Sequence, residues 1–256
     1  MELLPLGPAL EPKFWEHVNQ DIPHYFHFAL DWQHRRSDTK ILLALKDNHI
    51  DGMLLIFKER NVQLRGSRES AEALLERLVL EKADLQVSEQ LKKPVLEKYQ
   101  PTSSHELLLM ILRKGEESLH ITYPLIPLDA SDAEGIATMM TRLNPEFWGE
   151  ITRERIVEGM NTVNWVGIKE KGELISIGGA RLTERVGHIP TVATHESHRN
   201  KGYATSITSY LLRTILEKTP IAIIYTLSDN TPAITAYKKV GFKPYREYFF
   251  MRGVRR

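Results

Sequence analysis

The sequence contains no cysteine. That excludes disulfides, a thiolate nucleophile and any cysteine-ligated metal. No apolar run approaches the ~20 residues that a membrane-spanning helix needs. The opening Met1-Glu2-Leu3-Leu4-Pro5 lacks the basic start and apolar stretch of a secretory signal. An excess of charge is missing as well: 34 Lys and Arg stand against 33 Asp and Glu, a net charge of +1. So nearly neutral a chain has no long-range field to draw it to nucleic acid or to an anionic membrane. The expectation is a soluble, cytoplasmic protein with no nucleic-acid or membrane partner.

What is present fits an ordinary globular protein, with 42% hydrophobic and 26% charged residues. The 256 residues suit two domains, each large enough for its own core. Apolar periodicity and turn residues give the order of elements. Aromatic-rich helical material (Phe14, Trp15, Tyr25, Phe26, Phe28, Trp32) is followed by a hairpin, 41–45 and 53–57, around Lys46-Asp47-Asn48-His49. A strand at 61–64, a helix carrying Ala71, Leu74, Leu75 and Leu78, and a strand at 84–87 come next. The stretch 90–99 reads as a helix interrupted at Pro94, and 106–112 as a strand. The polar break Arg113 to Ser118 marks a domain border, giving domains 1–118 and 119–256. The second cycle predicts a strand at 123–128, a helix capped by Asp129 or Ser131, a loop at 144–149, and a helix at 152–160. A hairpin at 162–169 and 173–182, a strand at 186–194, a helix at 204–216, a strand at 221–227, a helix at 232–240 and a strand at 245–251 complete it. The element order repeats between the halves; the residues do not.

The most informative segment runs Val192-Ala193-Thr194-His195-Glu196-Ser197-His198-Arg199-Asn200-Lys201-Gly202-Tyr203-Ala204-Thr205. A β-branched strand enters a polar loop with one glycine, and an amphipathic helix starts directly after it. The first turn of a helix has N–H groups without intrahelical partners, and the helix dipole adds positive potential there. A phosphate suits such a turn. Gly202 lets the backbone come close, Ala204 keeps the turn uncrowded, and Arg199 and Lys201 add charge. A second motif follows the 221–227 strand: Asn230-Thr231-Pro232-Ala233 through Tyr237 to Gly241-Phe242. Thr231 can cap that helix, Pro232 suits its first position, and Gly241 suits its left-handed stop.

The spacing Arg199-x-x-Gly202-x-Ala204 resembles the acetyl-CoA pyrophosphate loop of the GCN5-related N-acetyltransferase superfamily. The second segment resembles that family's Asn-x-x-Ala-x-x-x-Tyr-x-x-x-Gly-Phe signature. The resemblance covers 119–256. It implies an α/β fold with a mixed sheet whose central strands splay apart, and acetyl-CoA or another short acyl-CoA as co-substrate. The backbone of Val192 and Thr194 would pair with pantetheine. Arg199, Asn200, Lys201, Gly202, Tyr203, Ala204 and Thr205 would hold the pyrophosphate, with Asn230 also on the coenzyme side. A small-molecule or peptide amine would attack the thioester directly, without a covalent acyl-enzyme. Tyr237 occupies the family's usual acid position. Its phenol, with an unperturbed pKa of about 10, lies close to a thiol's.

The base is open. His188 lies where the arylalkylamine N-acetyltransferases have a histidine, and the glycine N-acyltransferases have a glutamate there. Period-two alternation puts His188 on the face of Val192 and Thr194, and an imidazole suits a base near neutrality. Pro190, odd in a central strand, is less so in a splayed one. His195 and His198 are three apart but have no third metal ligand in view, so no metal is expected.

The first half resembles a degenerate copy of the same fold, an architecture similar to glycine N-acyltransferase-like proteins. Its counterpart loop, Leu64-Arg65-Gly66-Ser67-Arg68-Glu69-Ser70-Ala71, lacks the Arg-x-x-Gly-x-Ala spacing and sets a carboxylate in the first turn. Phe147 and Trp148 are candidate acceptor contacts. The competing reading is a non-catalytic acyl-CoA-binding or sensing protein, with Tyr237 structural.

Overall fold

A computed structural model describes residues 1–256. The chain forms two compact units, one of Met1–Leu107 with Arg246–Arg256, the other of Leu108–Tyr245. In the first unit the elements are β1 (Glu2–Pro5), α1 (Glu11–Gln20), α2 (Phe26–His34), β2 (Thr39–Lys46), β3 (His49–Phe57), β4 (Asn61–Gly66), α3 (Arg68–Glu76), β5 (Lys82–Ser88), α4 (Lys92–Lys98) and the start of β6 (Tyr99–Arg113). The second has β7 (Ile126–Pro127), α5 (Ala133–Leu143), α6 (Pro145–Trp148), α7 (Arg153–Gly159), β8 (Asn164–Glu170), β9 (Glu173–Leu182), β10 (Val186–Thr194), α8 (Tyr203–Lys218), β11 (Ile221–Leu227), α9 (Thr231–Lys239) and the start of β12 (Lys243–Arg255).

Pairing follows one plan in both units. β1–β2, β2–β3 and β3–β4 are antiparallel and β4–β5 is parallel. In the second unit β7–β8, β8–β9 and β9–β10 are antiparallel and β10–β11 is parallel. The hairpin turns use left-handed residues, Asp47 and Asn48 at φ 50° and 65°, as two-residue turns between twisted strands require. In each unit the strands carry apolar side chains on both faces. In the first unit α3 and α4 cover Leu64, Leu85 and Val87, while α1 and α2 cover Leu43, Met53 and Leu55. In the second, α8 and α9 cover Val166, Ile189 and Ile224, and α5 and α7 cover Trp165, Ile177 and Ala193. No helix is long and apolar enough to cross a membrane.

The division into units falls at 107/108, before the Arg113–Ser118 break, and it returns 246–256 to the first unit. The reason lies in strand pairing. Tyr248 to Val254 of β12 pair antiparallel with Ser88 to Lys82 of β5, and Leu108, Met110 and Leu112 of β6 belong to the α8-side core of the second unit. Pro94 does not interrupt a helix. It lies in the first turn of α4, where its missing N–H would have had no intrahelical acceptor.

The strand expected at 123–128 shrinks to β7. The N–H groups of His120, Thr122 and Tyr123 donate instead to the hydroxyls of Ser209 and Ser206 on α8. The 144–149 loop contains α6, capped by the Asn144 side chain, which accepts from Phe147 N at 2.9 Å. Neither Asp129 nor Ser131 caps α5; its N-cap position is Asp132, without a side-chain cap bond. Asn230 rather than Thr231 caps α9, accepting from Ala233 N at 3.2 Å.

Candidate active site

β10 is paired on both sides for only part of its length. Its parallel register with β11 runs from Val186↔Ile221 to Ile189↔Ile224. Its antiparallel register with β9 goes on to Thr194↔Ser176. The two parallel strands therefore part at Pro190, a residue with no N–H to give. The direction of the backbone groups beyond that point follows from one bond: His195 N donates to Ile175 O at 2.8 Å. In an antiparallel ladder alternate residues face the partner strand. Ala193 thus faces β9, where its carbonyl also accepts from Ser176 Oγ at 2.9 Å. Val192 and Thr194 turn their backbone groups to the open side.

The chain then passes through the loop with two left-handed residues, Asn200 at φ 64° and Gly202 at φ 86°. A Cβ added at Gly202 would meet nothing within 4 Å, so the glycine is required by its backbone angle and leaves the helix end open. α8 starts without a side-chain cap bond and without an acidic residue in its first turn. The N–H groups at its start therefore face outward beside the exposed Arg199 and Lys201.

Side chains distant in sequence brace this loop. The Tyr123 hydroxyl donates to Lys201 O at 2.6 Å. Tyr123 and Tyr203 rings lie 4.2 Å apart, and the Tyr203 hydroxyl donates to Glu170 Oε1 at 3.0 Å. His198 Nε2 lies 3.3 Å from Glu170 Oε2. That Tyr203 bond, first, holds the Glu170 carboxyl below its ordinary value. Tyr203 is thus a buried brace. His195 and His198 are joined through Ser197 Oγ, 2.9 Å from each Nδ1. Thr205 is buried within the first turn, and Ala204 O accepts from Thr208 Oγ1 at 2.7 Å. Sequence reasoning missed Glu170 and Tyr123 because neither lies in a motif. They reach the loop only through β8 and the segment crossing α8.

His188 departs from expectation. The β9–β10 register shifts between His188 and Thr191, three residues of β10 spanning two of β9. This β-bulge reverses the alternation. His188 stands opposite Arg181, and Thr191 opposite Gly179, two residues on and so on the same face. A Cβ at Gly179 would meet Val163 and Trp165, whereas one at Gly178, opposite Val192, would meet Ile207 and Leu211 of α8. His188 therefore shares the α5–α7 face with Thr191 and Ala193, and Val192 lies on the α8 face. The imidazole is 6% exposed and meets the Tyr225 ring edge-on, centroids 5.8 Å apart.

Tyr237 lies on the other side. It belongs to the α8-side core with Val240 and Phe242, its ring 6.1 Å from Phe242. Burial pushes its phenol pKa far above the ordinary value. Asn230, exposed, spends its side-chain oxygen on the α9 cap. Trp148 packs partly against the α5–α7 core, with Phe147 edge-on to it.

The FR47-like protein family model matches residues 165–251, from β8 to β12. Among curated proteins none matches the sequence. Solved structures share the fold at low identity. A Drosophila protein is 13% identical with a TM-score of 0.75, covering 98% of both chains. A GCN5-related N-acetyltransferase from Sphaerobacter thermophilus is 12% identical with a TM-score of 0.67, covering 99% of this chain and 96% of its own. A tandem GNAT protein from the clavulanic acid biosynthesis pathway is 12% identical with a TM-score of 0.52, covering 85% of this chain and 82% of its own. Residues 165–251 thus match the FR47-like protein family model, and the chain has the fold of GCN5-related N-acetyltransferases.

Proposed function

We propose that the chain is an N-acyltransferase that moves an acyl group, acetyl or another short chain, directly from coenzyme A to a primary amine. The observation that carries this reading is the opening between β10 and β11 after Ile189, next to the uncapped, acid-free start of α8. Pantetheine would pair with the backbone of Val192 and Thr194 along the open edge. The pyrophosphate would take the N–H groups from Asn200 to Thr205, with Arg199 and Lys201 beside it. The first unit, with the same order of elements, is a degenerate partner domain in this reading, a tandem arrangement like that of glycine N-acyltransferase-like proteins.

In the reaction, the amine nitrogen forms a bond to the thioester carbonyl carbon and the C–S bond breaks. The amine, arriving as an ammonium ion, first loses one proton to His188 and, in forming the amide, a second. The sulfur leaves as thiolate and takes a proton, so the products are an amide and free coenzyme A thiol, with one proton released. His188 and Tyr237 lie on opposite faces of the β10–β11 pair. A base on one face can meet the incoming amine while an acid on the other meets the departing sulfur. Burial keeps Tyr237 protonated throughout the working pH range, which suits a donor.

Tyr237→Phe keeps the ring and removes the oxygen. It should lower kcat by about 10 to 10⁴-fold and leave coenzyme A affinity unchanged by calorimetry. Full activity in this variant would reassign the acid. His188→Ala should slow turnover most at low pH, where the amine arrives protonated. Coenzyme A binding without thiol release over a broad amine panel would favour the alternative, an acyl-CoA sensor.

A further inference from the structure

Between β6 and β7 the chain crosses α8 as a strap. His120 N donates to Ser209 Oγ at 2.9 Å, and Thr122 N and Tyr123 N donate to Ser206 Oγ at 3.1 Å and 3.2 Å. Ser206 and Ser209 are fully buried, so the strap is fixed to the same helix that the glycine loop starts. At Tyr123 it meets that loop. The Tyr123 ring lies 4.2 Å from the ring of Tyr203, whose own hydroxyl is tied to Glu170 at 3.0 Å. The Tyr123 hydroxyl donates to Lys201 O at 2.6 Å.

That last bond fixes the direction of a peptide group. A trans peptide is planar, so its C=O and N–H point opposite ways. With Lys201 O turned to Tyr123, the Gly202 N–H points away from Tyr123. Nothing crowds this glycine: it is exposed, and an added Cβ would meet nothing within 4 Å. Its own carbonyl is committed to α8, accepting from Ser206 N at 3.0 Å. A pin is needed here because the residue is glycine. Turning over peptide 201–202 would carry Gly202 from its φ of 86° into the negative range, which glycine accepts about as readily. Glycine alone therefore does not choose between an N–H and a carbonyl at the start of α8. An anion does, since it is drawn to the N–H and repelled by the carbonyl oxygen.

We infer that Tyr123 is a positioning residue of the coenzyme site: its hydroxyl holds peptide 201–202 so that the pyrophosphate meets the Gly202 N–H and not the Lys201 carbonyl. The inference rests on the proposed coenzyme site at the start of α8. Tyr123 acts through that peptide and touches no bond that is made or broken. Ser206 is the other end of the device. Its hydroxyl holds the strap and its N–H holds Gly202 O, so one residue of α8 sets both the pin and the peptide that is pinned.

The test uses the full-length protein. Tyr123→Phe keeps the ring against Tyr203 and removes only the hydroxyl. It should weaken coenzyme A and dephospho-coenzyme A by the same factor, about 10-fold by calorimetry, the scale of one hydrogen bond. Pantetheine, the same arm without the pyrophosphate, should titrate wild type and variant alike, followed by NMR shifts. In the free protein the Gly202 amide signal, sharp in wild type, should broaden in the variant as the peptide samples both directions. Thermal melting checks that the variant is folded. A coenzyme A affinity equal to wild type would overturn the inference, and so would a Gly202 amide that stays sharp and unmoved. A loss for pantetheine as large as that for coenzyme A would overturn it too, by showing a general loosening of the site. If wild type binds neither coenzyme, the coenzyme reading itself falls, while the Gly202 amide still reports whether Tyr123 holds the peptide.

Discussion

The parallel pair β4–β5 and the parallel pair β10–β11 occupy the same place in the strand order of the two units, and they end differently. β4 is paired with β5 from Asn61 to Leu64 and stops two residues later, at Gly66. β10 leaves β11 after Ile189 and runs on for five residues. Where the second unit opens, the first is filled by Arg65. Its guanidinium donates to Leu64 O at 3.0 Å, to Gln86 O at 2.8 Å and to Gln63 Oε1 at 3.0 Å, and lies 4.4 Å from the Tyr248 ring centroid. It is 1% exposed. The helices that follow differ in the same sense. α3 is capped by Ser67, whose hydroxyl accepts from Ser70 N, and carries Glu69 in its first turn. α8 has neither feature. One fold therefore yields a sealed strand pair with a satisfied helix start, and an open pair with an unsatisfied one. In the proposed function the coenzyme's extended amide arm and pyrophosphate lie at the second.

Breaking that contrast at the helix start should have the largest effect. Gly202→Glu gives α8 the carboxylate that α3 already has, at a left-handed position that disfavours any side chain. Coenzyme A affinity should fall by more than about 100-fold, since like charges brought together cost several kcal/mol. Circular dichroism should show the fold retained. Unchanged calorimetric affinity would place the coenzyme elsewhere.

Removing the plug tests the first unit. Arg65→Ala takes the donor from four oxygens, Leu64 O, Gln86 O, Gln86 Oε1 and Gln63 Oε1, and should destabilise the protein by about 3 kcal/mol, read as a lower urea midpoint. Coenzyme A affinity in the second unit should not change. A midpoint equal to wild type would mean that the guanidinium adds nothing net.

A smaller effect is expected from acid. His24, whose Nδ1 lies 2.6 Å from the Tyr248 hydroxyl, has its pKa lowered to about 2, by burial first and then by Arg65, Arg246 and His17. The unfolded chain takes up a proton below about 6.5 while the folded one does not until about 2. Stability from this group is complete above the unfolded value and is lost progressively as pH falls through that window. His24→Gln should flatten the dependence of the urea midpoint between pH 7 and pH 4. An equal slope in wild type and variant would assign the acid sensitivity to other groups.

Much of this architecture was legible in the sequence because its signals are local. Apolar runs bounded by turn residues marked β2, β3 and β9, the Lys46-Asp47-Asn48-His49 turn marked a hairpin, and Gly202 between a β-branched strand and an apolar-faced helix marked the loop. Local reasoning failed where a remote partner intervened. Ser206 and Ser209 of α8 accept from the N–H groups of His120, Thr122 and Tyr123 and tie the chain to the helix where the strand expected at 123–128 would begin. Pro94 was read as a break because its distance from the helix start could not be seen.

The sequence by itself determined the order of elements, the left-handed loop before α8 and the absence of an acid in that helix's first turn, since each depends on residues within a few positions of one another. Tertiary structure decided the rest. It set the β-bulge that turns His188 away from Val192 and toward Arg181, because register is fixed by which residues of β9 lie opposite. It returned the last eleven residues to the first unit, because β12 finds its partner in β5. It gathered Tyr123, Glu170 and Tyr203 around the loop, because hydrogen bonds between side chains on separate elements exist only once those elements are packed.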